Sequence, residues 1–259
     1  MFGSEIHFLR HNVIEKLFLR VFGTWHTGAR IRAFHILRVA AACLKGGGHI
    51  LDAGCGFGRH TFFISRNYPD IEIMGVDLDG KNISVCDSIR EKRGLNNVRF
   101  ELCDLRHLNS NERFDLIICS DVLEYIREDN MVLTNFRNSL NENGRLIVHA
   151  PRLNPRRYFG LFERYFKCDP LEKAAHARDG YTDAELRGKL KGNGLKILGL
   201  KYTFGFFGSL SWELSKILER ARPLFVLCFP FILLLGYMDS LSLNRDGNGI
   251  LIEAQRSRE

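Results

Sequence analysis

The stretch ILDAGCGFGRH, Ile50 to His60, ends an apolar run on an acid, Asp52, and then sets Gly54, Gly56 and Gly58 around Cys55. Glycine admits positive φ and carries no Cβ, so a ligand can lie directly on such a backbone. The spacing is G-x-G-x-G after an acid, whereas a dinucleotide turn reads G-x-G-x-x-G with its pyrophosphate over the next helix N-terminus. Asp52 would put a carboxylate where that pyrophosphate must lie, so a ligand carrying positive charge fits better. The same turn can also serve only to let a helix pack close to a sheet. Further polar groups follow at strand ends. GVDLD puts Asp77 at the carboxyl end of a second strand, where an acid accepts two hydrogen bonds from a ribose diol. ELCDL puts Cys103, Asp104 and Leu105 at the end of a third, with Asp104 in reach of an exocyclic purine amine. CSDVLEY closes a fourth, so that Ser120 to Leu123 line the same crevice. In an open α/β sheet that carboxyl edge is where ligands bind.

The elements that must hold these groups are legible in the periodicity. Ile6, Leu9, Val13, Leu17 and Val21 recur at helical spacing, and Arg30 to Leu44 reads as a second amphipathic helix. From His49 the pattern alternates between β-rich runs (HILDA, IEIMGVD, VRFELC, FDLIICS, GRLIVHAP) and helices beginning at Arg59, Gly80 and Glu128. That alternation means parallel strands with right-handed helical crossovers. A Pro- and aromatic-containing insertion breaks it after Pro151; then come a helix from Thr182, LKILGLKYTF, a second insertion and GNGILIEAQ. The last two β-rich runs can pair as antiparallel neighbours. The expected division is an N-terminal helical cap, 1–45, and one domain, 46–259, with insertions at 152–179 and 205–246.

Composition narrows the classes. With 259 residues, 45% hydrophobic and 26% charged, the chain can bury a core, and disorder is not expected. Seven cysteines without CxxC pairs argue for a reducing compartment and against a metal site. The N-terminus threads charge through its apolar positions, unlike a signal peptide. A net charge of +7 suits an anionic partner: a phosphorylated substrate, a membrane face or a nucleic acid.

ILDAGCGFGRH, GVDLD, CDL, FDLIICSDVLEYI and NGRLIVHAP, in this order, resemble the class I S-adenosylmethionine-dependent methyltransferases, in particular small-molecule enzymes with a domain of the ubiquinone-biosynthesis type. The resemblance spans roughly 46–204 and 249–255. It implies a Rossmann-like α/β fold with a seven-stranded, mostly parallel sheet of order 3-2-1-4-5-7-6. It further implies S-adenosyl-L-methionine as cofactor and S-adenosyl-L-homocysteine as product. The Gly54–Gly58 turn would face the methionine part, Asp77 the ribose, Leu78 the adenine ring, and Asp104 with Leu105 the adenine amine. Where many relatives carry Glu-His, this chain has Glu124 and Tyr125, so Tyr125 is expected on the substrate side without serving as the usual histidine. HARDGYTDAELRGKLKGNGLKI resembles the family's His-containing loop, which makes His176 the candidate substrate-side base with Tyr181 beside it.

No DNA-amine tetrad or cytosine-type Pro-Cys follows the fourth strand, so a small or lipid-like acceptor is expected ahead of a nucleic acid. RNA methylation and a non-catalytic cofactor-binding module are the alternatives. RLNPRRYFGLFERYFKCDP alternates basic and aromatic residues, and suggests a lid whose Arg156 and Arg157 grip an anionic acceptor; a surface helix with solvated arginines is the other reading. LFVLCFPFILLLGYM, Leu224 to Met238, is the most apolar run, but 15 residues interrupted by Pro230 are too short to span a bilayer, which takes roughly 20. Flanked by Lys216, Arg220 and Arg222, it reads as an interfacial anchor on the inner membrane face of a cytoplasmic enzyme, or as a pocket cover or homodimer contact.

Overall fold

The computed structural model describes residues 26–108, 112–156, 176–219 and 221–257. The expected helix through Ile6 to Val21, and most of the insertion after Pro151, lie outside these residues. Helix α1 (Thr27–Ala40) leads into β1 (Gly48–Ala53), α2 (Arg59–Asn67), β2 (Ile71–Asp77), α3 (Gly80–Arg93), β3 (Val98–Leu102), β4 (Phe114–Ser120), α4 (Asp129–Ser139) and β5 (Leu140–Pro151). After the first insertion come α5 (Asp183–Gly192), β6 (Leu195–Thr203), α6 (Phe206–Leu218), α7 (Arg222–Leu241) and β7 (Gly249–Arg256). The strands form one sheet of order β3-β2-β1-β4-β5-β7-β6. Pairing is parallel from β3 to β5, and β7 runs antiparallel to both β5 and β6.

Alternation along each central strand sends side chains to two apolar layers. Leu51, Ala53, Ile117, Cys119, Leu146 and Val148 pack with Val132, Leu133 and Phe136 of α4 and with Leu186 and Leu190 of α5. Ile50, Leu116, Ile118, Ile147 and Leu251 pack with Ile36 and Ala40 of α1 and with Ile64 of α2. Local signals set the helix starts. Asp79 accepts from Lys81 N at 2.9 Å ahead of α3, and Thr182 Oγ1 accepts from Glu185 N at 3.2 Å ahead of α5. Strand β5 begins earlier than the run GRLIVHAP suggests, because Leu140 pairs with Phe114 before a register shift.

The second insertion differs from expectation. Pro230 does not break the apolar run: α7 is a continuous 20-residue helix, long and apolar enough by length and composition to cross a membrane. The expectation that this segment is too short is therefore corrected. The loss of one backbone hydrogen bond at proline is set against burial of Phe225, Phe229 and Ile232 beside Leu214 and Leu218 of α6, each full burial worth about 1.5–3 kcal/mol. A polar clasp holds the far end of α7. Asp239, fully buried, has Oδ2 2.8 Å from His35 Nε2 of α1, and the same oxygen accepts from Phe204 N at 2.9 Å. Phe204 has φ 53, which is strained for a bulky residue, and Asp239 holds that turn between β6 and α6. Helix α1, assigned by sequence to a cap, thus forms one layer with α6 and α7. Replacing Asp239 by Ala orphans several buried groups at once, and urea unfolding should show a loss of about 3–5 kcal/mol; a loss below about 1 kcal/mol would contradict the clasp.

Candidate functional site

The turn after β1 is tied to β2 by its own backbone. Gly54 N and Cys55 N both donate to Val76 O at 2.8 Å, and Gly56 N donates to Asp77 Oδ2 at 2.8 Å. Gly54, Gly56 and Gly58 all have positive φ, at 75, 52 and 68°. They differ in what a Cβ would meet. At Gly54 it would strike Val122 Cγ2 at 2.3 Å, and at Gly58 it would strike Phe62 Cε2 at 2.7 Å. At Gly56 it would meet nothing within 4 Å. The outer two glycines therefore allow close packing, and the middle one keeps open space against the main chain.

That space belongs to a cavity of about 770 Å³ at the carboxyl ends of β1 to β4. It brings together Gly54, Gly56, Asp77, Leu78, Cys103, Asp104 and Leu105 with Tyr125 and His176. Asp77 also accepts from Asp79 N at 2.9 Å and from Asn82 Nδ2 at 3.2 Å, so its position is fixed on three sides. Leu78 is 70% exposed at the end of β2, an apolar surface awaiting a flat partner. The Asp104 carboxylate is gripped by Arg106, with Nη2 to Oδ2 at 2.6 Å and Nε to Oδ1 at 3.1 Å, and these hydrogen bonds hold its pKa below the usual carboxylate range. The Tyr125 and His176 rings meet at a tilt, with 45° between their planes and centroids 4.3 Å apart. This arrangement suits a nucleoside with an apolar base face, a diol and a cationic tail; the open backbone at Gly56 is the cradle that a bulkier residue would fill.

Other residues singled out in the sequence lie elsewhere. Asp52 is buried and does not line the cavity; its Oδ2 accepts from Thr61 Oγ1 at 2.6 Å and Thr61 N at 3.1 Å, locking β1 to α2. Cys55 turns into an apolar cluster with Phe62, Cys86 and Phe100, and Gly58 serves that same packing. Ser120 ends β4 opposite His149, outside the cavity lining. Tyr181 is fully buried, its hydroxyl 2.8 Å from Asp129 Oδ2, and burial, followed by that hydrogen bond, raises its pKa, so its placement is that of a core strut. Arg156 pairs with Asp246 at 2.8 Å and its N donates to Asn248 Oδ1, away from the cavity. Arg157 falls outside the described residues.

Asp121 was visible only as part of the strand-four end, yet it is the most constrained group in the site. It lines the cavity with φ 52, its N donates to His149 O at 3.0 Å, and its Oδ1 lies 2.5 Å from His149 Nδ1. Its Oδ2 meets Arg32 Nε at 2.6 Å, and His149 Nε2 lies 2.8 Å from Thr203 Oγ1. Burial would raise its pKa, but the charge of Arg32 and the bond to His149 bring it to about 2, so it stays ionised and is a poor base. The sequence signal for this network was slight: His149 is a single polar residue in an apolar run, and Arg32 is one of several basic residues on the first helix.

Residues 44–186, more than half of the chain, match a family described as a methyltransferase domain. Phosphoethanolamine N-methyltransferase 1 of Arabidopsis thaliana is 28% identical over 48% of this chain and 25% of its own length. Ubiquinone biosynthesis O-methyltransferase of Coxiella burnetii is 22% identical over 68% of this chain and 78% of its own length. The chain spans only about a quarter to a third of the first curated relatives it matches. Among solved structures, a putative sarcosine dimethylglycine methyltransferase from Galdieria sulphuraria superposes with TM-score 0.60 at 15% identity, covering 95% of this chain and 97% of that one. Coclaurine N-methyltransferase, bound to N-methylheliamine and SAH, superposes with TM-score 0.57 at 16% identity, covering 87% and 72%. At these identities the structures establish the shared fold.

Asp52 carries a pH signature. Burial raises its carboxyl to about 6, with the Thr61 bonds opposing. A folded-state pKa above the unfolded value gives stability that is complete below about pH 4 and is lost as pH rises through 6. The Asp52→Asn variant escapes that loss. Its stability relative to the native chain should therefore improve by about 3 kcal/mol between pH 4 and pH 7 in denaturant titrations. A difference independent of pH would contradict the assignment.

Proposed function

The chain belongs to the methyltransferase domain family, and from that membership we propose that it transfers the methyl of S-adenosylmethionine to a small-molecule acceptor. The observation that carries this reading is one cavity lined by Gly56, Asp77 and Leu78 together with Tyr125 and His176. When bound, the cofactor supplies an electrophilic methyl on a sulfonium, with S-adenosylhomocysteine as the product. The chain's own part is alignment, exclusion of water and management of one proton. Asp77 accepts the ribose hydroxyls, Leu78 covers the adenine, and the Gly54–Gly56 backbone receives the amino-acid end. Asp104, with Leu105 beside it, stands at the base edge, where Arg106 shares its carboxylate. In this reading His176, packed against the Tyr125 ring, takes the proton from an acceptor that keeps one.

The acceptor in this reading is lipid-like and met at an anionic membrane surface. Helix α7 supports it: Leu224, Leu227, Phe231, Leu234 and Leu241 are exposed at three-, four- and seven-residue intervals, a continuous apolar stripe with Arg222 at its start. Phe225 and Phe229 point inward and are core, so the contact with lipid falls to Leu227, Phe231 and Leu234.

Two measurements test these readings. Isothermal titration should show S-adenosylhomocysteine binding in the micromolar range, about tenfold or more weaker in Asp77→Ala, and labelled cofactor should methylate a small molecule in a cell extract; a folded chain that binds neither nucleoside would remove the proposal. Vesicle flotation should show binding that grows with anionic lipid and fails in the Leu227→Glu, Phe231→Glu double variant. Absence of flotation at every composition would leave the stripe to another contact.

A further inference from the structure

The cavity wall that carries Tyr125 and His176 is built from two segments far apart in the chain. Tyr125, Ile126 and Arg127 line it from the turn between β4 and α4, and His176 and Ala177 line it from the stretch that leads into α5. Main-chain bonds join the two at one point, Glu124 O, which accepts from Ala177 N at 2.8 Å and from Arg178 N at 3.1 Å. Two bonds to one carbonyl fix a point but not an angle, so something else must set how the His176 segment lies on the Tyr125 turn.

The Arg178 side chain supplies that constraint. Its Nη1 donates to Leu123 O at 3.2 Å and its Nη2 to Arg127 O at 3.2 Å, so one guanidinium spans the turn on both sides of Tyr125. Nη1 also pairs with the buried Asp129 at the start of α4. Asp129 in turn accepts from Lys189 Nζ of α5 at 2.9 Å, and the Tyr181 hydroxyl lies 2.8 Å from its Oδ2. The Arg178 guanidinium lies over the Tyr181 ring, 5.0 Å from its centroid. A planar group with its donors in a fixed fork can hold two carbonyls and a carboxylate together; an ammonium, a point charge, cannot match that pattern. The nucleoside half of the cavity is held by a separate set of bonds, from Gly54 and Cys55 to Val76 O and from Gly56 and Asn82 to Asp77.

We propose that Arg178 is a positioning residue for methyl transfer: by clamping residues 176–181 onto the 123–129 turn it sets His176 against the Tyr125 ring, and so fixes the proton-accepting side of the cavity relative to the nucleoside side. Its bearing on transfer rests on the reading of His176 given above; the clamp itself rests on the hydrogen bonds alone. Arg178 touches neither reactant. It acts through His176, whose displacement by about 1 Å is enough to cost a large factor in rate. Loss of the clamp therefore separates two properties that a general loosening of the fold would degrade together, cofactor binding and turnover.

NMR of the His176 imidazole in the full chain reads the clamp without any acceptor, because the ring current of Tyr125 displaces its proton resonances. Loss of signals in His176→Gln identifies them, and Tyr125→Leu gives the positions they take without the ring. Arg178→Lys keeps the charge beside Asp129 and loses the fork, so its His176 resonances should move to the Tyr125→Leu positions. S-adenosylhomocysteine affinity should stay within about twofold, which also reports that the variant is folded. Transfer from labelled cofactor to small molecules of a cell extract should fall about 100-fold. Tyr181→Phe loosens the same buried cluster by one hydroxyl but leaves the bonds of Arg178 to Leu123 and Arg127, and its His176 resonances should stay near the native ones. The positioning role is overturned by native resonances already at the Tyr125→Leu positions, by no movement in Arg178→Lys, or by equal movement in Tyr181→Phe. Undiminished transfer in Arg178→Lys, or a loss of S-adenosylhomocysteine affinity as large as the loss of transfer, overturns it as well. Moved resonances in a chain that binds no nucleoside would keep the clamp and remove the methyl-transfer reading, with the proposed role in it.

Discussion

The candidate site depends on how one carbonyl, Val76 O, is used. By accepting from both Gly54 N and Cys55 N it clamps the turn after β1 to the end of β2. That clamp forces positive φ on the turn and brings Val122 to within a methyl of Gly54. Strands β1, β2 and β4 therefore end at one point, and Asp77 and Asp121 are delivered there without loop flexibility. A side chain at Gly54 would push β4's end outward. The requirement for glycine is thus one of packing at Gly54, while at Gly56 the missing side chain leaves open space against the main chain.

The two carboxylates at this point are tuned differently by what surrounds them. Asp77 sits among backbone N–H donors and Asn82, a neutral setting suited to exchanging hydrogen bonds with hydroxyls. Asp121 is gripped by Arg32 and His149 and is committed as a fixed negative charge. A fixed charge at the cavity edge favours a cationic centre beside it over an anion.

Much of this was legible in the sequence because it rests on short-range rules. Strand ends, helix starts at Arg59 and Gly80, and the order of acids along the crevice follow from periodicity and glycine placement. The sheet order came from family resemblance rather than from periodicity, and the sheet agrees with it. What could not be read was three-dimensional division of labour. Asp52 and Asp77 look alike in sequence, yet one holds Thr61 in the core and the other faces the cavity. Tyr181 and His176 are five residues apart, and a single turn sends one into the core and the other to the cavity. Proline at 230 predicts a break by local rules, and tertiary packing along α7 overrides it.

Helix α7 combines the length and composition of a spanning helix with a packed inner face. Its hydropathy is that of a spanning helix, but a spanning helix presents lipid on the sides that other helices leave open, and α7 gives one side to Phe225, Phe229 and Ile232 packing in the domain. Asp239, fully buried and joined to His35 and Phe204, roots its C-terminal end beside the sheet. Pulling α7 through a bilayer would strip that aspartate of its partners and expose the apolar face of α6, whereas laying its outer stripe on a surface disturbs neither. On that inner face Arg30 of α1 lies over the Phe229 ring, 5.7 Å from its centroid, so a cation–π contact adds to the packing that holds α7 against the domain.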